Sequence, residues 1–176
     1  MKRSLKTDAI LLWVAQGFGV GRIPFGPGTA GSCVGLLWFF VLLATGSPWL
    51  YLLYMLLGLA VSVWSCDLAE KILRQKDPPS VVLDEIAALP LCFLAWLGLL
   101  LRRDGKLPSA KDFFEENWLL VLSVFVAFRL FDIFKPWPVR ESQALRGGWG
   151  VTMDDCLAAA YVNLVTAIYF GWKVGF

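Results

Sequence analysis

Five stretches of this chain, residues 33–45, 49–64, 86–101, 118–134 and 151–172, are almost wholly apolar, and short polar or turn-forming segments separate them. A bilayer crossing by a helix takes about 20 apolar residues. The last four stretches meet or approach that length, and the first is a marginal crossing that residues 29–32 would lengthen by a turn. Residues 8–16 form one more helix, too short to span. With basic residues before it and no small-x-small cleavage site after it, this helix reads as a retained interfacial one. The pattern predicts an all-α, polytopic membrane helical bundle. It would have about four to five transmembrane helices plus an N-terminal interfacial helix, with residues 1–176 as a single domain.

The segments between the apolar stretches differ in kind. Gly46-Ser47-Pro48 is a turn, which makes the first two stretches a hairpin with an uncharged tip. Asp67, Glu70, Lys71 and Arg74 keep helical spacing, so the second helix continues into water until Asp77-Pro78-Pro79-Ser80 breaks it. Residues 102–117 read as a loop of four basic and four acidic residues with nothing resembling a site. Residues 139–150 read as a polar loop with Arg140, Arg146 and three glycines.

If all five stretches cross, the loops sort themselves. The glycine-rich segment 17–32, the Asp67–Glu85 region, the Asp132–Arg146 region and the Asp154-Asp155 pair fall on one side. The Gly46 tip and the mixed-charge loop fall on the other. Lys2, Arg3, Lys6, Arg22, Lys71, Arg74, Lys76, Lys135, Arg140 and Arg146 make ten basic residues on the first side, against five on the other: Arg102, Arg103, Lys106, Lys111 and Lys173. The positive-inside rule then makes the first side cytoplasmic.

Composition narrows the chemistry. Hydrophobic residues make up 58% and charged ones 17% of the chain, against about 45–50% and about 25% in soluble proteins. Nine tryptophans suit membrane interfaces. A net charge of +2 gives no footing for nucleic acid. Four cysteines without a CxxC pair argue for no zinc or thioredoxin-like site. The absence of histidine removes a phosphohistidine nucleophile, a Ser-His-Asp triad and the common zinc sites together.

What remains is carboxylate, lysine, arginine, hydroxyl, thiol or an oxygen-held metal. Arg129, Asp132 and Lys135 fall three residues apart at the end of an apolar run, on one stripe of a helix that Pro136 and Pro138 stop. Asp84-Glu85 and Asp154-Asp155 are acidic pairs, each at the mouth of an apolar helix. Such a pair is either a favourable charge at a helix N-terminus or a set of hard oxygen ligands. The segment GFGVGRIPFGPGTAGS reads as an irregular loop whose amides would cradle an anion, helped by Arg22, Thr29 and Ser32. Buried carboxylates need neutralising; magnesium (Mg2+) does this with oxygen ligands, and Arg22, Arg129, Lys135 and Arg140 suit phosphate. Metal, phosphate and membrane together point to a phosphorylated lipid headgroup. The alternatives are a small membrane transporter using intramembrane carboxylates and a lipid-binding scaffold without catalysis.

Four motifs in order, GFGVGRIPFGPGTAGS, DPPSVVLDE, FRLFDIFKPWPV and GGWGVTMDD, resemble the phosphatidylglycerophosphatase A family over most of the chain. The resemblance implies a multi-pass enzyme of the bacterial inner membrane. It would remove the terminal phosphate of phosphatidylglycerophosphate, with magnesium, to give phosphatidylglycerol. The family's acidic positions fall here on Asp84, Glu85, Asp132, Asp154 and Asp155 as metal-binding and catalytic residues. Lys135 joins the catalytic set, and Arg22, Thr29, Ser32, Arg129 and Arg140 are the substrate-binding candidates. The chain departs from the family pattern at Asp77-Pro78-Pro79 and at Ala87-Ala88, which bears on Asp77 more than on the activity. The faces of small residues, with Ala158, Ala159 and Ala160 on the fifth stretch, would permit a homodimer.

Overall fold

The computed structural model describes residues 5–174 along the backbone and side chains as far as Phe170. Lys2 and Arg3, and the side chain of Lys173, lie outside the described residues. Every regular element among the described residues is helical: α1 (Leu5–Ala15), α2 (Pro27–Leu43), α3 (Pro48–Leu73), α4 (Leu83–Ala88), α5 (Leu94–Asp104), α6 (Ala110–Phe134), α7 (Val139–Ser142) and α8 (Gly148–Val174). The stretches Pro48–Leu73, Leu83–Asp104, Ala110–Phe134 and Gly148–Phe170 are long and apolar enough to cross a membrane, and Pro27–Leu43 is a shorter apolar helix. The chain is an all-α polytopic bundle, as its hydrophobic pattern predicts.

Exposed tryptophans mark two levels on it. Trp49 stands at the start of α3, and Trp64 and Trp149 stand together where α3 meets the start of α8. Along α3, Trp49 and Trp64 are about 22 Å apart at the helical rise, a spacing that suits indoles at two headgroup layers.

Three boundaries differ from the sequence expectation. Helix α2 starts at Pro27, inside the segment expected to be irregular. Proline is tolerated there because a first-turn amide has no partner to lose. Helix α6 starts at Ala110, inside the expected mixed-charge loop; the Ser109 side chain caps it by accepting from the Asp112 amide at 3.1 Å. The expected loop also gives the core a residue, since Phe113 is fully buried against Phe39 and Phe93. Asn117 then kinks α6, its own backbone non-helical and its side chain bonded to the Phe113 carbonyl at 3.1 Å. Residues 139–150 are likewise partly helical, holding α7 and the start of α8.

The third span is broken. Leu89–Phe93, around Pro90, forms a 3-10 turn between α4 and α5. Lipid cannot satisfy freed backbone groups, so side chains from other helices must. Asn163 on α8 accepts from the Ala95 amide at 2.7 Å and donates to the Leu91 carbonyl at 2.7 Å. Tyr51 on α3 donates to the Pro90 carbonyl at 2.7 Å.

Small residues bring the helices close. Gly31 and Gly35 on α2 face the third span, where a Cβ would meet Val82 at 2.8 Å and Leu89 at 2.9 Å. Gly148 lets α8 start directly against the Val63 carbonyl of α3, and Ser62 and Thr152 hydrogen bond across the same pair at 2.9 Å. Ala158 and Ala159 are fully buried, so their size serves packing within the chain. The main core gathers Phe39, Tyr51, Phe93, Phe113 and Phe128 among its larger side chains.

Candidate functional site

The polar clusters that the topology places on one side meet in one cavity of about 360 Å³. Its wall takes Gly26, Pro27 and Gly28 from the start of α2, and Asp77, Pro78, Pro79 and Val81 from the α3–α4 connection. Asp84 and Glu85 come from the first turn of α4. Arg129, Asp132, Ile133 and Lys135 come from the end of α6, and Asp154 and Asp155 from α8.

Local structure explains how each group arrives. The chain after α1 clasps the approach to α4: the Ala15 carbonyl accepts from the Val82 amide at 3.1 Å, and Gln16 Nε2 donates to Ser80 Oγ at 3.3 Å. This fixes the entry of α4, whose first turn points its two carboxylates inward. Lys135 ends α6 in the left-handed region at φ 44°. Its amine there reaches both Asp132 on its own helix and Asp154 on α8.

The five predicted carboxylates fall into two sets. Asp132 is paired with Arg129 at 2.8 Å and with Lys135 at 3.5 Å. Asp154 is paired with Lys135 and accepts from Gln143 Nε2 at 3.0 Å. Asp84, Glu85 and Asp155 form the other set, each offering an oxygen within 4.8 Å of the others. Asp84 Oδ1 and Glu85 Oε2 are buried without a hydrogen-bond partner. The nearest cation to this set is Arg129, 3.8 Å from Glu85 Oε1. Three clustered carboxylates under-compensated by one shared guanidinium are a high-energy arrangement. A hard divalent cation with oxygen ligands would relieve it, so the donor set fits one.

The cations are themselves held. Arg129 Nη1 donates to Ser32 Oγ at 3.3 Å, and Ser32 Oγ donates to the Gly28 carbonyl at 3.0 Å. Gly28 passes so close to Glu85 and the Arg129 guanidinium that a Cβ there would strike Glu85 Oε1. Burial by itself would favour the neutral amine of Lys135. The bond to Asp154 and the charges of Asp154, Asp132 and Asp155 outweigh it and hold the ammonium above its ordinary range. Lys135 therefore stays charged across the neutral range.

Of the other predicted residues, Ser32 is buried and acts on Arg129. Arg22, Thr29 and Arg140 are exposed and lie outside the cavity wall, with Arg22 Nε donating to Gln16 Oε1 at 2.8 Å. Asp77 lines the cavity in the left-handed region at φ 47°. Its amide donates to Glu70 Oε1 at 2.9 Å, and its carboxylate accepts from Gln143 Nε2 at 3.2 Å. Gln143 thus bridges Asp77 and Asp154, and nothing local in the sequence marks it. Gly28 had a signal, because Gly28, Gly31 and Gly35 are spaced by three and four and so share one helical face.

The sequence profile of the family phosphatidylglycerophosphatase A matches residues 13–170. A Bacteroides thetaiotaomicron protein whose name provisionally makes it a phosphatidylinositol-3-phosphatase is 32% identical, over 92% of this chain and 94% of its own. Phosphatidylglycerophosphatase A of Escherichia coli is 32% identical over 92% of this chain and 85% of its own. The Haemophilus influenzae protein of that name is 30% identical over 92% and 89%. No solved structure matches. The chain belongs to the phosphatidylglycerophosphatase A family.

Proposed function

We propose that this chain hydrolyses the terminal phosphomonoester of phosphatidylglycerophosphate to phosphatidylglycerol and inorganic phosphate. The reaction would use magnesium and take place at the cytoplasmic face of a bacterial inner membrane, as a step of phospholipid biosynthesis. The observation that carries this reading is one cavity that joins the under-compensated Asp84–Glu85–Asp155 set, with Asp84 Oδ1 and Glu85 Oε2 buried and unbonded, to the fixed cations Arg129 and Lys135. Family membership supplies the lipid, and the ten-to-five basic asymmetry of the loops supports the orientation.

Asp84, Glu85 and Asp155 would hold the ion, with Asp132 and Asp154 beside it. Bound there, magnesium would neutralise phosphoryl oxygens and make water a better nucleophile. The protein's own groups do the rest. Arg129 and Lys135 neutralise the charge spread over the phosphoryl oxygens as the bond to the glycerol oxygen breaks. Asp132 holds both cations in place, so neither must reorganise during the reaction. A carboxylate of the cavity takes a proton from the attacking water and passes it to the leaving glycerol oxygen, which ends as a hydroxyl, while the water oxygen stays on the released phosphate.

Phosphate release from the purified protein in detergent tests this. Release from phosphatidylglycerophosphate should stop with a chelator and return with magnesium; release that survives chelation would remove the metal from the mechanism. The name of the Bacteroides relative favours a second headgroup, a phosphorylated inositol. A larger kcat/KM for phosphatidylinositol 3-phosphate than for phosphatidylglycerophosphate would move this chain to that substrate.

A further inference from the structure

The cavity has two unlike rims. One is polar: Asp77 and Pro79 line it and are exposed, and the residues leading to them, Arg74, Gln75 and Lys76, are exposed as well. The other is apolar. There the wall is Gly26 and Pro27 at the start of α2, with Ile133 at the end of α6. Phe25 directly precedes Gly26, and Phe134 directly follows Ile133. These two are 87% and 76% exposed.

Arg129 ties the two parts of the apolar rim together. Its guanidinium bonds Ser32 and stands beside Gly28 on α2, while its backbone lies one turn before Ile133 on α6. The rim therefore straddles the gap between α2 and α6. Phe25 is informative because it belongs to no helix. Exposed apolar residues on a spanning helix face lipid by default. A phenylalanine in a loop at the mouth of a charged cavity is instead exposed to water, at a cost, unless lipid covers it.

A phosphorylated diacylglycerol ester has the same two halves as this cavity. Its phosphate needs Arg129 and Lys135, and moving its tails out of the bilayer costs free energy. Only an apolar rim lets the phosphate enter while the tails stay in lipid. Water and inorganic phosphate need the polar rim.

We infer that the rim of Phe25, Ile133 and Phe134 seats the glycerol backbone and first acyl carbons of a lipid phosphomonoester that enters sideways between α2 and α6. The rim at Asp77 and Pro79 is the door for water and released phosphate. This rests on the phosphatase reading above and adds the site for the apolar half of the substrate.

The test compares long-chain phosphatidylglycerophosphate in mixed micelles with its dibutanoyl analogue, which is monomeric in water. In Phe25→Ser, and in Phe25→Ser combined with Phe134→Ser, the ratio of kcat/KM for the long-chain over the short-chain substrate should fall roughly tenfold, through KM for the long chain. Phe25→Leu should restore it. A ratio that stays at its wild-type value in both variants overturns the inference while leaving the phosphatase reading intact. The single variant keeps the test open if the double one fails to fold, because Phe25 packs into no helix interface. Wild-type protein that hydrolyses neither substrate removes the phosphatase reading, and this inference with it.

Discussion

Arg103 and Asp104 form an ion pair at 2.8 Å, and so do Arg129 and Asp132. The first pair lies at the end of α5, where its side chains are 70% and 40% exposed. The second lies in the cavity, where they are 15% and 12% exposed. Chemistry and distance are the same, yet the roles differ. Arg103 and Asp104 are sequence neighbours that water screens, and such a pair contributes almost nothing to stability. Arg129 reaches Asp132, Glu85 and Ser32 from three different elements, so several parts of the fold specify its position. Lys111 and Glu115 repeat the first case, exposed and one turn apart. A site is recognised here by how many elements converge on a charge and how little water is left to screen it.

The sharpest way to break this contrast is a matched pair of carboxylate changes. Asp84→Asn should lower the rate of phosphate release by roughly a thousandfold or more, the scale on which metal and charge-stabilising groups act. Asp104→Asn should leave it within about twofold, since exposed surface changes are rarely felt. Equal effects would mean that burial is no guide to the chemistry in this bundle.

The arginines come next. Arg129→Gln should reduce kcat/KM by about a hundredfold, as removal of one preorganised donor does elsewhere, while Arg103→Gln should change it less than about twofold. Replacing Arg129 by Lys sharpens the comparison, because a point charge cannot serve three partners in a fixed fork. Little recovery in Arg129→Lys is the expected result, read as kcat/KM in the same assay.

The smallest effect concerns two glycines. In Gly28→Ala the new methyl group meets Glu85 Oε1 and the Arg129 guanidinium, so activity should fall roughly tenfold through displaced charges. Gly98 on α5 has open space around it, and Gly98→Ala should leave activity unchanged and stabilise the helix by about 0.5–1 kcal/mol. Thermal unfolding in detergent, measured beside activity, separates the two.

Much of this was open to reading along the chain. The apolar stretches, the acidic pairs and the Arg129–Asp132–Lys135 stripe are local patterns, and local patterns survive folding. The start of α6 was also legible, because Ser109 and Asp112 carry a capping signal ahead of Ala110 that the run of charges obscured. Pro90 likewise announced a break in the third span. The rest depends on distant contacts. That Arg129 would also reach Glu85 and Ser32, while Arg22 turns to Gln16, could not be told from a list of cations. Gln143 joins Asp77 to Asp154 only because the connection between α6 and α8 folds back over both. Along the chain the glycines of α2 read as loop freedom, whereas Gly31 and Gly35 act as clearance for the third span and Gly28 for Glu85 and Arg129.

The clasp between Asn163 and the broken third span has a consequence for the order in which the protein is built. Ala95 and Leu91 emerge from a ribosome about seventy residues before Asn163, well ahead of α8 at translation speeds of about 5–20 residues per second. Until α8 arrives, their amide and carbonyl have no partner from that helix, and a bilayer offers none. Tyr51 on α3 already holds the Pro90 carbonyl, so the third span is a guest only partly secured until the last helix closes over it. Since α4 carries Asp84 and Glu85, the same closing step that completes insertion also brings Asp154 and Asp155 to them. A nascent chain stopped short of α8 has neither a finished third span nor a finished acidic cluster.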